Sequence, residues 1–289
     1  MYNGILVINK PSGISSHAVV ARLRKILGEK KIGHGGTLDP MASGVLPVFI
    51  GRATRAAGCI QEGGKTYVAD MRLGISTDTQ DTTGTVLEES GDIPSRTEVE
   101  KALEAFRGEI TQLPPMYSAV SVGGVRLYKL ARQGVEVERE TRQVTVYGLE
   151  ILDVRENGDY VLKIDCSKGL YVRTLIDDLG KMLGCGAAMS ALVRTRAGIF
   201  EMEEALTLDE VEELKASGEL DSRLSCADRL FSSLEAYTAP EELVPRLKNG
   251  QHVPLPNLPD GELRLYGSEG FLGLMHAENG VAKMEKSFY

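Results

Sequence analysis

Residues 33–44, GHGGTLDPMASG, constrain this chain more than any other stretch. Four glycines, a histidine, an acid and a proline crowd into a segment with neither a helical nor an alternating apolar period. Glycine permits backbone angles and close approaches closed to other residues, and Pro40 restricts the chain immediately after Asp39. Asp39 is therefore expected on a shaped loop, not on the face of a regular element. The residues alone leave two readings open. One is a displayed functional carboxylate; the other is a glycine-rich turn between helix and strand, with Asp39 as a turn former.

Around this stretch the pattern alternates between sheet and helix. Residues 4–9 (GILVIN) read as a short buried strand, halted by KPSG. Ser15 or Ser16 should cap a helix ending at Leu27 before Gly28, with Val19, Val20, Leu23 and Ile26 on one face. Residues 45–50 read as a strand that Pro47 makes irregular or confines to an edge, and 52–61 as a short helix. In 66–73 Tyr67, Ala69, Met71 and Leu73 face one way, and Val68, Asp70 and Arg72 the other. On these grounds alone Tyr67 is a plain core residue at the start of its strand. The polar run 76–81 reads as a loop and lacks the glycine and closing glutamate of a calcium-binding EF-hand.

The second half continues in kind. Ser95 to Glu98 form a capping box for a helix bearing Val99, Leu103 and Phe106. Residues 113–142 interrupt the strand pattern with Pro114-Pro115, Gly123-Gly124 and a short basic helix near 126–133, a mobile surface excursion by pattern. Strands follow at 143–154 and 160–167, then a helix to Leu183 in whose first turn Arg173 stands, unfavourably for the helix dipole. Residues 192–200 read as a further strand or turn, and Thr207 to Glu210 as a second capping box opening an acidic helix. From about Glu235 short strands and glycine turns imply a small β domain.

Charge is segregated along the chain. The net charge is -8, yet residues 1–72 hold ten Lys/Arg against four Asp/Glu, and 199–228 hold two against ten. A basic face backed by an acidic one is compatible with a polyanionic partner, since binding depends on the face presented; a solvated surface reads the same way. Cys59, Cys166, Cys185 and Cys226 are widely spaced without a C-x-x-C pair, and the four histidines are scattered, so reduced thiols and no zinc site are expected. No apolar run is long enough for a membrane span, and the start MYNGILVINK shows no signal-peptide pattern. A cytoplasmic protein follows as the expectation.

The run GHGGTLDPMASGVLPVFIGRATR, with INKPSGISSH before it and KTYVADMRLGISTDTQD after it, closely resembles the TruB family of tRNA pseudouridine synthases. LPPMYSAVSVGGVRLYKLARQGVEVERE, GLYVRTLIDDLG and ALVRTRAG resemble the same family in the same order, covering most of residues 4–200. The resemblance implies an α+β fold. A mixed, largely antiparallel sheet would form the catalytic domain over 1–234, with a thumb-like insertion at 114–142 that closes on RNA. A small C-terminal β domain over 235–289 resembles the PUA type through LKNGQHV and FLGLMHA.

The resemblance also implies an activity: isomerisation of the T-loop uridine at conventional tRNA position 55 to pseudouridine, after the base is flipped from its stack. Asp39 matches the essential carboxylate, and Arg173 the arginine that keeps it ionised and oriented. Tyr67 matches the tyrosine that stacks on the target base and assists proton removal at C5. Tyr171 and Leu192 match positions lining the uracil pocket, and His34 the residue filling the space the nucleotide vacates; read alone, His34 is a polar turn residue. Lys10, with Pro11, matches a motif beneath the loop; it reads as support with substrate contact as the alternative, and is carried among the substrate-site residues. The expected partner is the tRNA T-arm stem-loop, with no cofactor, metal, membrane or guide RNA, and with a monomeric enzyme. A non-catalytic tRNA binder or folding chaperone is the alternative. A glycosidase is a third reading, but it needs two acids across one bond, and Asp39 has no evident second acid.

Overall fold

Alternate residues of the first strand, β1 (Gly4–Lys10), bury on opposite faces, which explains its unbroken apolar run. Leu6 and Ile8 meet helix α1 (Ser16–Leu27), whereas Ile5 and Val7 face a second cluster on the other side. The computed structural model describes residues 2–118 and 120–288, apart from the side chains of residues 61 and 62. Ala119 of the expected insertion and Tyr289 of the expected C-terminal domain lie outside the described residues. Ser15 caps α1 by accepting from Ala18 N, and Gly28 ends it with φ 70°.

Strand β2 (Ile32–His34) pairs with β3 (Ser43–Ile50), so both ends of the 33–44 stretch are strand and only its middle is loop. β3 is an interior strand, contrary to the edge expected from Pro47. It pairs with β1 from Gly44 to Ile50, placing Pro47 opposite Val7. Its other flank meets β12 (Ala187–Ala197) at Ser43 and Gly44, then passes to β2. Gly35 N donates to Pro47 O at 2.9 Å, so the missing proline N–H points to the gap where pairing changes partner. The helix expected over 52–61 is instead two 3-10 turns, Gly51–Ala56 and Cys59–Glu62.

Strand β4 (Lys65–Leu73) alternates as expected and lies at the centre of the sheet. The hairpin β5 (Ile75–Thr77) and β6 (Val86–Glu89) follows, so the polar run expected as loop begins as strand. Helix α2 (Arg96–Glu104) carries the Ser95/Glu98 capping box. β7 (Gly108–Gln112) pairs directly with β10 (Arg142–Val154), and the segment between them leaves the sheet edge as one long excursion. That excursion holds the hairpin β8 (Ser121–Val122) and β9 (Val125–Arg126) and the short helix α3 (Leu127–Ala131).

β11 (Tyr160–Cys166) and helix α4 (Val172–Leu183) lead to β12, which begins five residues earlier than the expected start at Leu192. β13 (Phe200–Glu201) and helix α5 (Leu208–Ser217) complete this half. Among the described residues the large sheet has the order β1-β3-β12-β4-β11-β10-β7, with β2 on β3 and β13 on β12. Every pairing in it is antiparallel except β12 with β3. Helices α2 and α4 cover one face through Val99, Leu103, Leu175, Ile176 and Leu179.

A second sheet is built from β14 (Ala236–Thr238), β15 (Val253–Pro254), β16 (Gly261–Gly267), β17 (Gly270–Glu278) and β18 (Val281–Ser287), with α6 (Val244–Lys248) beside it. It is not a loosely tethered unit. Leu274 and Phe288 join Phe231, Phe200, Phe49 and Ile5 in one buried cluster shared with the large sheet, and half-buried Phe271 packs against it. The molecule is a mixed α+β fold with a small C-terminal β unit.

Candidate active site

The loop 35–42 carries Asp39 and is held by polar groups around it, of which Ser16 and Lys10 are buried. Ser16 Oγ donates to Leu38 O at 3.0 Å and accepts from Leu38 N at 2.8 Å. Gly13 N donates to Pro40 O at 2.8 Å, and Ser12 Oγ to Met41 O at 2.7 Å. Lys10 is fully buried, and its ammonium donates to Ile14 O (2.6 Å), Pro11 O (2.9 Å) and Pro40 O (3.3 Å). It therefore clamps the loop from beneath and offers no surface to a substrate, which favours the supporting reading over substrate contact. Leu38 and Ala42 pack into the main core, so the loop is pinned on its apolar side too.

Arg173 stands in the first turn of α4 and points at this loop. Its Nε lies 2.9 Å from Asp39 Oδ2, and its side chain is buried while that of Asp39 remains 35% exposed. The rest of the guanidinium is tied down: Nη2 donates to Tyr117 O at 2.8 Å and Nη1 to Thr79 O at 3.1 Å, with Asp81 Oδ2 at 3.7 Å from Nη1. Asp81 is buried and accepts from Thr79 Oγ1, Thr83 N and Thr83 Oγ1. The loop bearing it is braced by α4: Thr174 Oγ1 donates to Gln80 Oε1, and Gln80 Nε2 to Asp177 Oδ2. These bonds hold Gln80 at φ 63°, a conformation that non-glycine residues adopt rarely.

Burial pushes the Asp39 carboxyl above its ordinary value of 3.8; the Arg173 charge opposes this, the Asp81 charge adds to it, and Lys10 again opposes. The expected effect of the neighbouring cation, to keep Asp39 ionised, is present but is outweighed by burial. Burial likewise raises the Tyr67 phenol; Arg194 opposes, and Cys166 and Asp39 raise it further.

Tyr67 is 7% exposed and shares a core cluster with Leu38, Ala42, Val172 and Leu192. The core reading and the site reading of Tyr67 are thus compatible: it is a core residue whose neighbours include the Asp39 loop. Leu192 is buried on β12 opposite Ala69. Tyr171 caps α4 with its backbone braced by Gln112, whose Nε2 donates to Tyr171 O at 3.2 Å and whose Oε1 accepts from Tyr171 N at 3.0 Å. The Arg142 guanidinium lies 5.6 Å from its ring centroid. His34 ends β2, half-buried, and its Nδ1 is buried without a hydrogen-bond partner among the described residues. Burial, then Arg194 and His17, lower its pKa, favouring neutral imidazole.

Asp39, Arg173, Tyr67 and Leu192 are thus brought together, Tyr171 adjoins Arg173 in sequence, Lys10 bonds the loop at Pro40 O, and His34 ends the strand that enters it. Sequence reasoning missed Asp81 and Arg194. Asp81 was hidden in a polar run, and nothing local announces its burial. Arg194 did carry a signal: it stands two residues after Leu192 in a strand, hence on the same face. Among the described residues no cluster of His, Cys, Asp and Glu is arranged to hold a metal, and no helix is long and apolar enough to cross a membrane.

Comparison with known proteins places this geometry in context. Residues 24–172 match the family described as TruB family pseudouridylate synthase (N terminal domain), and 173–236 match the tRNA pseudouridylate synthase B C-terminal domain. A protein named tRNA pseudouridine synthase B from Geobacillus kaustophilus is 45% identical over 261 residues, 88% of this chain and 92% of the relative. One of the same name from Dehalococcoides mccartyi is 42% identical over 279 residues, covering 96% and 93%. Among solved structures, a chain of a Cbf5-Nop10-Gar1 complex superposes with a TM-score of 0.74 at 29% identity, covering 99% of this chain and 85% of that one.

Proposed function

The chain belongs to the TruB family of pseudouridylate synthases, and from that premise we infer how its residues act and which uridine they act on. It is a tRNA pseudouridine synthase, an isomerase. Its target is the T-loop uridine at conventional tRNA position 55, presented by the T-arm stem-loop. The observation that carries the assignment of roles is the 2.9 Å pair between Arg173 and Asp39, set beside buried Tyr67.

The reaction breaks the N1–C1′ glycosidic bond, turns the uracil and joins C5 to C1′. The C5 proton leaves and N1 gains one, so atoms and electrons balance without an oxidant. A single carboxylate can open this sequence as nucleophile or base, and Asp39 is that carboxylate. Arg173 orients it and stabilises its charged form, while burial works the other way and keeps it reactive. Tyr67 meets the flipped base from the core side, with Leu192 and Tyr171 lining the pocket. His34 occupies the space behind the departed nucleotide, and Lys10 keeps the loop in place. Flipping removes the base from its stack at a cost of roughly a few kcal/mol, offset by contacts with phosphates and splayed bases.

Residues 1–234 form the catalytic unit, the 114–142 excursion is its thumb, and 235–289 are a PUA-like RNA-binding unit. The second sheet, which begins at Ala236, supports this division. The enzyme works as a cytoplasmic monomer without guide RNA; for the last of these the support is identity of 42–45% to proteins named tRNA pseudouridine synthase B, against 29% to the Cbf5 chain. A binding-only role would leave the Asp39–Arg173 pair without use. The test of position is a tRNA transcript with uridine 55 replaced by cytidine. Modification should vanish from that transcript, and modification persisting at another uridine would refute the site.

A further inference from the structure

Arg194 is fully buried, the largest such side chain in the described structure, and none of the described ion pairs uses it. Its Nε donates to Val45 O at 2.8 Å, Nη2 to Gly36 O at 3.1 Å and Nη1 to Thr37 O at 3.4 Å. Val45 opens onto β3, and Gly36 and Thr37 are the loop residues leading to Asp39. In the β12–β4 ladder the residue directly opposite Arg194 is Tyr67. The approach is tight at Gly44 and ordinary at Gly36. A Cβ on Gly44 would stand 2.2 Å from Arg194 O, and one on Gly36, at φ 97°, would fill the space 3.6 Å from Arg194 Nη1.

A buried guanidinium without a carboxylate is costly, and an apolar side chain of similar volume is often no less stable. The groups it meets are the supports of two residues that act on the substrate. We propose that Arg194 is a positioning residue that sets the Asp39 loop and the Tyr67 hydroxyl relative to one another. Arginine has only donors. Where the Tyr67 oxygen meets this guanidinium it can only accept, which leaves its own O–H free for another partner. Arg194 also opposes the rise of the Tyr67 phenol, which burial, Cys166 and Asp39 push up. One side chain therefore links the loop that carries the carboxylate to the strand position of the tyrosine.

This inference rests on the proposed function and is tested within it. Arg194→Gln and Arg194→Lys are compared with the wild-type chain in single turnover on saturating enzyme, with tRNA affinity and thermal unfolding measured alongside. The expected result is tRNA affinity within about 3-fold of wild type and a turnover rate lower by about 100-fold for Gln and about 10-fold for Lys, which keeps the charge but not the planar fork. The limb of the rate profile governed by Tyr67 should move to higher pH in Arg194→Gln, because an opposing charge is lost. In a Tyr67→Phe background the loss from Arg194→Gln should shrink, since part of its action is already gone.

Wild-type turnover in both variants would overturn the proposal. So would a loss of equal size in both backgrounds with an unmoved pH profile, or failure of both variants to fold, which would assign Arg194 to stability alone. An inactive wild-type chain would instead strike the functional reading, which keeps the two failures apart.

Discussion

The Nε of Arg173 stands 2.9 Å from Oδ2 of Asp39, although Arg173 sits in the first turn of a helix. A cation at that end opposes the helix dipole; here it is compensated by Asp39, by Asp81 at 3.7 Å and by the carbonyls of Thr79 and Tyr117. These four partners lie in three directions around one planar group. Arg173→Lys should keep tRNA binding and lose turnover by about 100-fold, because a point charge cannot reach all of them. Single-turnover kinetics near the wild-type rate would contradict the role.

The acid limb of the reaction should report Asp39. Its carboxyl titrates above the ordinary 3.8, so turnover should rise with pH through that raised value as the reactive anion forms. Asp81 contributes to the rise by its charge. Asp81→Asn should therefore shift the acid limb to lower pH, even where the maximal rate falls. A limb at or above the wild-type position in Asp81→Asn would show that the two carboxyls are not coupled in this way.

Lys10 supplies a stability test. Burial pushes its ammonium down to about 8, from 10.5 when unfolded. Unfolding therefore takes up a proton between those values, and stability from this residue rises with pH across that window. Denaturant unfolding of wild type and Lys10→Met at about pH 7 and about pH 10 should show the balance moving in favour of wild type at the higher pH. A gap independent of pH would mean that Lys10 does not titrate in the folded loop as described.

The second sheet should prove structurally integral. Phe288 is buried near the end of the chain, with its ring 5.5 Å from Phe271 and 5.7 Å from Phe231. Phe288→Ala should cost about 3–5 kcal/mol, the range for removing a large buried aromatic. Equilibrium unfolding with a change below about 1 kcal/mol would place Phe288 outside the shared core.

Much of this was legible locally. The Ser15 cap and Gly28 stop of α1, the two capping boxes and the alternation of β4 depend on residues a few positions apart, and each appears where the pattern put it. What was not legible depends on distant partners. Pro47 is tolerated inside the sheet because β2 and β12 divide one flank of β3 between them. The early start of β12 rests on small residues, Ala187 and Ala188, that carry no pattern until paired with Leu73 and Arg72. Asp81 is buried by contact with Met189, more than a hundred residues away. The site followed the same rule: the loop alone left Asp39 between a functional carboxylate and a turn former until the family resemblance chose, Arg194 could be read only from its register with Leu192 in β12, and Asp81 became visible only through the chain folded around it.

The central claim is that Asp39 makes pseudouridine in tRNA, and tritium release tests it most directly. A tRNA transcript labelled at C5 of uridine is given to the wild-type chain and to Asp39→Asn, with binding measured in parallel. The wild type should release one label per tRNA. Asp39→Asn should bind the transcript with similar affinity and release none above background. Release by Asp39→Asn at the wild-type rate, or none by a wild-type chain that binds the tRNA, would contradict the account.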